Sequence, residues 1–557
     1  MKKRLLHSLA LACVCLVPCT WNSYAQTTSD FTHNPLNARN PQSVTTWDGT
    51  SWSDGAPDYT KDAVITGNFT STGSLEALSL TVDNDATVNI LSGHTLTLAD
   101  ALTVHSGSFT LANNAALIQT ANVANTGSIV VQRNSSALQR QDYTLWSALV
   151  AGQNLLDFSP LTLTNRFYTY NTTSNLYSTI APAANSFEAA AGYLVRMPNS
   201  HPATATVWNG QFTGVPNNGD VNYVMSNTYN LTGNPYPSPI SMASFVADNA
   251  DAITGTLYFW RETNGSTSNN AYCSWTGGTF TSNNEAQVVK PSGVIQTGQG
   301  FFVVAKPGQT ALSFKNSQRL SDTNNQFFRV TDLDEERHTL WLNATNSQGA
   351  FSQMAVGYIT GATMGVDMYD GMAFPDGEMA LGSWLDNENY VIQGRPVPFD
   401  VTDVVPLTFR CTNAGTYTIT LDHVIGLFEG SQQIFLKDRF TNSLHNLKVS
   451  GYQFETASGA FNARFEIVYQ QLLQLGSQDV FKADSVVVYK QGDELVIDSG
   501  NVPLQHVAVY DLRGRLLAQQ SVLNATATRL YLGTTHEVLV VKLTSSQQQT
   551  YTRKIVD

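Results

Sequence analysis

The chain has 557 residues and a formal net charge of −13, and only 13% of its residues are charged, about half of the roughly 25% found in soluble domains. This length is too great for one hydrophobic core and predicts three or four domains. The acidic balance argues against nucleic acid as a partner, and the abundance of Thr, Ser, Asn and Gly favours an all-β, multidomain fold.

The first 25 residues have the pattern of a secretory signal peptide. Lys2–Arg4 precede a short apolar run, Leu5–Pro18, and we expect signal peptidase to cleave between Ala25 and Gln26. The run is too short to span a membrane, and no later stretch has the length of a transmembrane helix. Cleavage would take the formal charge from −13 to about −16 and leave 26–46 as an N-terminal linker.

Residues 47–137 contain many very short strands with period-two alternation. Turn residues separate these apolar runs, which are Leu78–Val82, Val88–Ile90, Leu96–Leu98, Leu102–Val104, Phe109–Leu111 and Ile129–Val131. Strands this short favour a small right-handed β-solenoid, with a twisted meander in a sandwich as the alternative. Trp47 and Trp52 precede the unit and are interpreted as its cap, with a sugar-stacking platform as the alternative.

Residues 138–322 form a second β-rich segment with more aromatic residues. The predicted strands are Phe167–Tyr170, Tyr193–Met197, Leu257–Trp260 and Phe301–Val304, and one connecting helix is predicted over Met242–Ala252. Three prolines at alternate positions in 233–239 restrict that backbone to an extended or turning path.

Residues 323–472 predict a β-sandwich, because at least six alternating runs fall within about 150 residues. These runs are Leu340–Asn343, Met354–Tyr358, Val405–Phe409, Tyr417–Leu421, Ile434–Leu436 and Phe465–Tyr469. A Gln-rich linker, Gln470–Ser477, follows them. Residues 480–557 then predict roughly seven strands in a small immunoglobulin-like sandwich. The mature chain keeps only Cys273 and Cys411, and their spacing leaves open whether they pair.

The final segment carries a distinctive combination of motifs. An aromatic-Asp pair and a basic-Gly turn occupy Val507–Arg515, an apolar strand with Lys occupies Val538–Leu543, and Tyr551–Val556 are basic and aliphatic. Together they resemble the type A C-terminal sorting domain of the type IX secretion system of Bacteroidota. The residues that carry the resemblance are Tyr510, Asp511, Arg513, Gly514, Arg515, Lys542, Arg553 and Lys554.

This resemblance implies export in two steps, through the periplasm to the outer surface or the medium. The type IX machinery would recognise the sorting domain at the outer membrane, and the passenger would then be released or joined to surface lipopolysaccharide. The passenger also resembles uncharacterised, adhesin-like surface proteins of Bacteroidota, in the segments Gly233–Ser238, Gly298–Val303, Phe314–Arg319, Arg337–Leu342 and Ile392–Phe399.

No nucleophile elbow, paired-histidine metal motif or phosphate loop is present in the sequence. His338 is interpreted as a polar strand residue, and the acidic run Asp332–Glu336 as a solvated turn. A second acidic zone could bind calcium, although an ordinary acidic loop is the simpler interpretation and no cofactor is predicted. It contains Asp367, Asp370, Asp376, Glu378, Asp386 and Glu388.

The sequence therefore favours a non-enzymatic, adhesin-like or structural protein of the cell surface or medium. One alternative is a secreted glycan hydrolase or peptidase whose carboxylates carry no recognisable motif. Another is an array of carbohydrate-binding modules that contact extracellular glycans through aromatic rings. The candidate rings for that role are Trp47, Trp52, Trp208, Trp260 and Trp275.

Overall fold

A computed structural model describes residues 43–226, 228–261, 271–284, 293–321, 336–471, 486–533, 537–545 and 549–556. Strands dominate these residues and the helices are short, which confirms the all-β, multidomain prediction. The chain divides into two compact units, Met1–Ile253 with Pro291–Val330, and Thr254–Lys290 with Thr331–Asp557. Within the described ranges, no helix combines the length and apolarity needed to cross a membrane.

The first unit begins with a β-solenoid. Its strands are β1 (Ser43–Trp47), β2 (Lys61–Ile65), β3 (Phe69–Thr70), β4 (Leu75–Ala77), β5 (Ser79–Val82), β6 (Thr87–Ile90), β7 (Thr95–Leu98), β8 (Leu102–Val104), β9 (Ser108–Leu111), β10 (Ala116–Gln119) and β11 (Ile129–Leu138). Successive coils pair in parallel along three sheets, which contain β1-β2-β5-β8, β3-β6-β9-β11 and β4-β7-β10. This parallel pairing confirms the solenoid and excludes the meander, whose strands would be antiparallel.

Apolar side chains stack on one another in columns inside the solenoid. In one column Phe69 pairs with Val88, which pairs with Phe109, and all three are buried. At the start of the unit, the rings of Trp47 and Trp52 pack on each other and on Phe69, with centroids 5.4 to 5.9 Å apart. This packing agrees with the predicted cap.

The middle of the chain contains short strands and two helices. They are β12 (Tyr143–Trp146), β13 (Val150–Ala151), α1 (Leu155–Phe158), β14 (Phe167–Asn171), β15 (Leu176–Thr179), β16 (Tyr193–Arg196), β17 (Thr206–Pro216), β18 (Val221–Val224), β19 (Tyr229–Gly233), β20 (Ile240–Ser241), α2 (Met242–Asp248), β21 (Leu257–Trp260), β22 (Tyr272–Thr276), β23 (Thr279–Thr281), β24 (Val294–Ile295), β25 (Gly300–Val304) and β26 (Ala311–Phe314). Helix α2 confirms the predicted connector, and the Ser241 side chain caps it.

The proline-rich segment 233–239 joins the solenoid to the rest of the first unit. The Pro237 carbonyl accepts a hydrogen bond from Leu117 N in β10, at 2.9 Å. The Arg319 guanidinium lies over the Tyr236 ring, 4.8 Å from its centroid, and donates to Ser238 Oγ at 3.0 Å. The sequence motif therefore has a structural role here.

The second unit contains a large, mostly antiparallel domain. Its strands are β27 (Arg337–Asn346), β28 (Phe351–Ile359), β29 (Gly371–Met372), β30 (Met379–Leu385), β31 (Glu388–Arg395), β32 (Val404–Cys411), β33 (Gly415–Ile425), β34 (Phe435–Asp438), β35 (Ser443–Asn446), β36 (Tyr452–Thr456) and β37 (Gly459–Val468). They form one 11-stranded sheet, ordered β35-β34-β37-β32-β30-β31-β28-β27-β33-β36 with β29 beside β31. One core contains residues from both halves of this sheet, so the predicted sandwich is a single sheet folded over its own core.

An ion pair that is surrounded by aromatic side chains connects the two ends of this sheet. Asp438 in β34 accepts hydrogen bonds from Arg464 in β37, at 2.9 Å from Nη2, and from Tyr452 Oη in β36, at 3.0 Å. The Arg464 guanidinium also lies 4.8 Å from the centroids of the Phe454 and Phe465 rings. Because β34 and β36 stand near opposite ends of the strand order, this cluster fastens the fold where no backbone pairing does.

The C-terminal module has seven described strands in two antiparallel sheets. They are β38 (Val487–Gln491), β39 (Glu494–Asp498), β40 (Leu504–Asp511), β41 (Leu516–Ala525), β42 (Ala527–Tyr531), β43 (Leu539–Ser545) and β44 (Thr550–Ile555). The sheets have the orders β38-β39-β42 and β41-β40-β43-β44 and enclose a core of their own. This arrangement confirms the small two-sheet sandwich that the sequence predicts.

Both cysteines of the described chain are buried, and neither is part of a disulfide. Cys273 Sγ lies 3.4 Å from Asn283 Oδ1, and Cys411 Sγ lies 3.4 Å from the Ala457 carbonyl. The question that their sequence spacing left open is answered, because the two residues do not form a disulfide.

Candidate functional site on the C-terminal module

A tight hairpin built around Asp511 connects β40 to β41. Asp511 Oδ1 accepts the backbone N–H groups of Arg513 and Arg515, both at 2.9 Å, and Asp511 Oδ2 accepts Arg515 Nε at 3.1 Å. Gly514 has a φ of +81°, a left-handed conformation that glycine adopts without strain. These hydrogen bonds, led by the one from the Arg515 backbone, hold the pKa of Asp511 below its usual range.

The hairpin presents both of its arginine side chains to solvent, as the sequence predicts. Asp511 is buried, and the hydrogen bonds of the turn satisfy its carboxylate. Its negative charge therefore stabilises the hairpin. Arg513 is exposed and forms no ion pair among the described residues, so its positive charge remains available at the tip of the sheet.

The outer face of the four-stranded sheet carries three more of the motif residues. Val541 and Val509 are register partners and both lie in the core. Since successive strand residues point to opposite faces, Lys542 and Tyr510 lie on the outer face. Lys554 pairs with Val540, which pairs with Tyr510, so it shares that face.

Arg553 lies apart from this outer face. It pairs with Val541, which places it on the core side of the sheet, and its Nη1 donates to the Val486 carbonyl at the start of the other sheet. Its position in the last strand suits a role in fastening that strand to the module. The structure thus brings Tyr510, Lys542 and Lys554 together and assigns Arg553 a different place.

The two sheets of the module differ in charge. The strands of the four-stranded sheet and their hairpin carry five basic side chains against one acidic one, Asp511. In the three-stranded sheet, Glu494 and Asp498 accompany Lys490 and Arg529. Of these basic side chains, Lys542 and Lys554 lie on the outer face of the first sheet, and we call this outer face the basic face.

The acidic zone has no metal-binding arrangement. In the described part of the chain, no three His, Cys, Asp or Glu side chains lie close enough to hold a metal ion. Asp367 instead accepts Thr363 N at 2.6 Å and Tyr369 N at 2.8 Å, and Asp376 accepts Ala271 N at 2.6 Å. Asp367 thus stabilises a local turn, whereas Asp376 connects two distant segments of the chain.

The candidate tryptophans pack against other aromatic rings or lie in the core. Trp208 lies 5.2 Å from Phe158, Trp260 lies 5.2 Å from Tyr272, and Trp275 is buried in β22. These three rings therefore take part in packing.

His338 lies in β27 as a polar strand residue, in agreement with the sequence interpretation. Its Nε2 lies 2.9 Å from Glu336 Oε1, and its Nδ1 accepts Leu427 N at 3.2 Å. Asp332–Glu335, Ala25 and Gln26 lie outside the described residues.

The second unit contains a concave cleft. Its empty volume, which includes open solvent, is about 320 Å³, and the stacked rings of Tyr272 and Phe374 line it, with centroids 4.0 Å apart. Gln353 in its wall donates to Asn343 Oδ1 at 2.8 Å and accepts Ser282 N at 2.8 Å. Its amide therefore holds the wall together.

Two family models match the chain, and neither comes with a known activity. Residues 42–469 match a "Domain of unknown function (DUF8693)", and residues 475–557 match a "Domain of unknown function (DUF8694)". No curated protein matches the chain.

The similar solved structures are remote. A Ruminococcus gnavus beta-glucuronidase is 10% identical over 34% of this chain and 46% of its own, with a TM-score of 0.11, so the chain spans about half of it. A central fibronectin-III array of RIM-binding protein is 8% identical over 61% of this chain and 96% of its own, with a TM-score of 0.12. The BSP domain of a biofilm associated protein is 10% identical over 76% of this chain and 92% of its own, with a TM-score of 0.11. TM-scores this low do not indicate a shared fold. The first family model, in contrast, covers well over half of the chain, and the protein therefore belongs to the DUF8693 family.

Proposed function

We propose that this chain is a non-enzymatic, exported protein of the cell surface or medium with an adhesin-like or structural role. In this proposal the C-terminal module acts as a type IX sorting domain. The observation that supports it most directly is the Asp511–Arg515 hairpin beside the basic face, because it gathers most of the motif residues at one end of a small sandwich. The signal-peptide pattern of residues 1–25 supplies the first export step.

The charge of the module suits recognition by export machinery. A basic surface stands out on a protein whose formal net charge is −13, and electrostatic complementarity gives a partner specificity and a faster encounter. The passenger would follow the module to the outer membrane, and there be released or joined to lipopolysaccharide.

Deletion of the module tests its role. In a bacterium that has a type IX secretion system, the full chain should reach the cell surface or the medium. A chain that ends before Lys482 should accumulate in the periplasm, and protease accessibility on intact cells followed by fractionation would distinguish the two locations. Surface exposure of the shortened chain would refute the proposal.

Charge reversal on the basic face tests the recognition surface more finely. The double substitution Lys542→Glu and Lys554→Glu should reduce export while the module remains folded, because both side chains lie on the outer face. Arg529→Glu is the matched control, since Arg529 is exposed on the other sheet and 3.3 Å from Glu494. Equal loss of export in the control would show that net charge matters and that the basic face does not.

A further inference from the structure

One sheet of the first unit has two faces of different character. The sheet has the order β12-β16-β14-β15, and Phe167, Tyr193 and Val195 on one face belong to the hydrophobic core. Because strand residues alternate between faces, the neighbouring positions form the opposite face. Four tyrosines occupy that face, and they are Tyr143, Tyr168, Tyr170 and Tyr177.

These tyrosines form two ring pairs, one that reaches across β16 and one between the adjacent strands β14 and β15. The Tyr143 and Tyr168 centroids are 6.0 Å apart, and those of Tyr170 and Tyr177 are 5.4 Å apart. The Tyr170 ring also packs edge-on against Phe302, 4.7 Å away, which fixes its orientation. All four side chains are half-buried, so part of each ring remains open to solvent. We call this set the tyrosine face.

Two arginines accompany the tyrosine face without a carboxylate partner. Arg166 Nη1 donates to Tyr168 Oη at 3.1 Å, and Arg196 is the register partner of Tyr143. Arg196 is only 7% exposed and donates to Asn199 Oδ1. Neither guanidinium forms an ion pair within the described ranges.

The lack of a counter-charge is the unusual feature of this face. A guanidinium stays protonated at any physiological pH, and a buried charge is costly unless an opposite charge or several hydrogen bonds compensate it. The Nε of Arg196 and the Nε of Arg166 also have no hydrogen-bond partner among the described residues. An external anion near these groups would offset the cost.

We propose that the tyrosine face binds a glycan that carries carboxylates, such as a polymer of uronic acids. Tyrosine rings provide apolar faces on which the C–H groups of a sugar ring can stack, together with polar hydroxyls at their edges. A guanidinium meets a carboxylate with two parallel hydrogen bonds. The combination selects a flat, partly apolar and negatively charged ligand, and an acidic glycan has all three properties.

Binding by the purified full chain tests this proposal independently of export, because the measurement needs no secretion machinery. Calorimetric titration would compare a short oligogalacturonate with a neutral galacto-oligosaccharide of the same length. We expect the acidic oligosaccharide to bind at least about tenfold more tightly, and its affinity to fall as salt screens the guanidinium charges. Absence of binding to the acidic oligosaccharide would overturn the proposal, as would equal affinity for both.

Substitutions locate the site. Tyr168→Ala should weaken binding of the acidic oligosaccharide by about tenfold or more, because a stacking ring is lost. Arg166→Gln should weaken binding of the acidic oligosaccharide and leave binding of the neutral one unchanged. Tyr531→Ala, at a 72% exposed tyrosine of the C-terminal module, is the matched control and should bind like the parent chain.

Two measurements keep the result interpretable. The thermal unfolding midpoint of each variant shows whether the fold is retained, and Tyr168→Phe preserves the ring if Tyr168→Ala fails to fold. A proline-rich peptide library serves as the competing ligand class, since aromatic grooves also bind extended peptides. Preference for such a peptide over the acidic oligosaccharide would assign the face to protein recognition and overturn the glycan proposal.

Discussion

Asp370 is a buried carboxyl group that holds a loop against the large sheet. Its Oδ2 accepts Asp367 N at 2.8 Å and its Oδ1 accepts Gly394 N at 3.0 Å, and the side chain is almost fully buried. Burial raises the pKa of Asp370 to about 7. The group is therefore protonated in the folded protein at pH values where an exposed aspartate is ionised.

This pKa predicts a pH dependence of stability. Between pH 4 and pH 7 the unfolded chain has already lost the proton that the folded chain keeps, so the free energy of unfolding should fall as pH rises. The fall levels off above pH 7 and is on the order of 4 kcal/mol. Asp370→Asn should remove this fall, which makes the variant more stable than the parent at pH 8.

At pH 3 the order should reverse, because Asp370 is then protonated in both states and the asparagine, which cannot accept both backbone N–H groups, loses about 1 kcal/mol. Urea unfolding at the two pH values measures both effects. Asp400→Asn is a control, since Asp400 is exposed and its pKa is lowered by hydrogen bonds from Thr402. Parallel pH profiles for the parent and Asp370→Asn would contradict the prediction.

The Asp438–Arg464 pair predicts strong coupling between two substitutions. Arg464→Met should cost about 3 to 5 kcal/mol, because Asp438 is fully buried and would be left without its counter-charge. Addition of Asp438→Ala should then recover part of that loss. A double-mutant cycle by urea unfolding measures the coupling, and additive effects would show that the pair does not act as a unit.

Sequence reasoning at the residue scale succeeds where the partners are neighbours in the chain. The Asp511 turn is recognisable because its acceptor and donors lie within five positions, and local spacing specifies such turns. Asp370 also accepts a hydrogen bond from Gly394, and Asp438 pairs with Arg464, and these partners lie 24 and 26 positions away. No local pattern encodes those contacts. For the same reason, the tyrosine face was missed.

At the scale of elements, the turns of the solenoid depend on how closely successive coils approach. Gly107 has a φ of +82°, and a Cβ on it would lie 2.1 Å from the Ala86 carbonyl of the preceding coil. Gly93 has nearly the same φ, +81°, with nothing within 4 Å. A side chain at Gly93 would therefore meet backbone strain alone, whereas a side chain at Gly107 would meet the same strain and a steric clash.

The matched substitutions Gly107→Ala and Gly93→Ala measure that difference. Gly93→Ala should cost about 1 to 2 kcal/mol, which is the penalty of a left-handed conformation. Gly107→Ala should cost more by at least about 2 kcal/mol, because overpacking against the backbone forces the coils apart. Urea unfolding would compare the two, and equal losses would show that the coils move freely enough to absorb the methyl group.

The strands themselves were largely predictable, whereas their pairing was not. Alternation identified β5 and β40 because one face of each is buried. It carries no information on which strand lies beside which. In the large domain β28 and β31 pair in parallel, although sequence order would not place them side by side. Because this pairing could not be foreseen, the sequence predicted a two-sheet sandwich, whereas the structure has one folded sheet.

At the scale of the whole molecule, the hydrophobic cores of the large domain and of the C-terminal module each lie within one of the two family matches. The large domain and the C-terminal module have separate clusters of buried side chains that share no residue, and the matches end at 469 and begin again at 475. Each core is enclosed by strands of its own segment. This division predicts that the module contributes little to the stability of the rest of the chain.

Tryptophan fluorescence offers a selective test of that division. All nine tryptophans precede residue 400 and the C-terminal module has none, so the signal reports only on the rest of the chain. A chain that ends before Lys482 should give the same urea midpoint and slope by fluorescence as the full chain, because the surface exposed on unfolding is unchanged for the remaining cores. Far-ultraviolet circular dichroism, which detects every strand, should lose amplitude. A lower fluorescence midpoint in the shortened chain would mean that the module stabilises its passenger, and removal of the sorting domain after export would then weaken the protein it delivers.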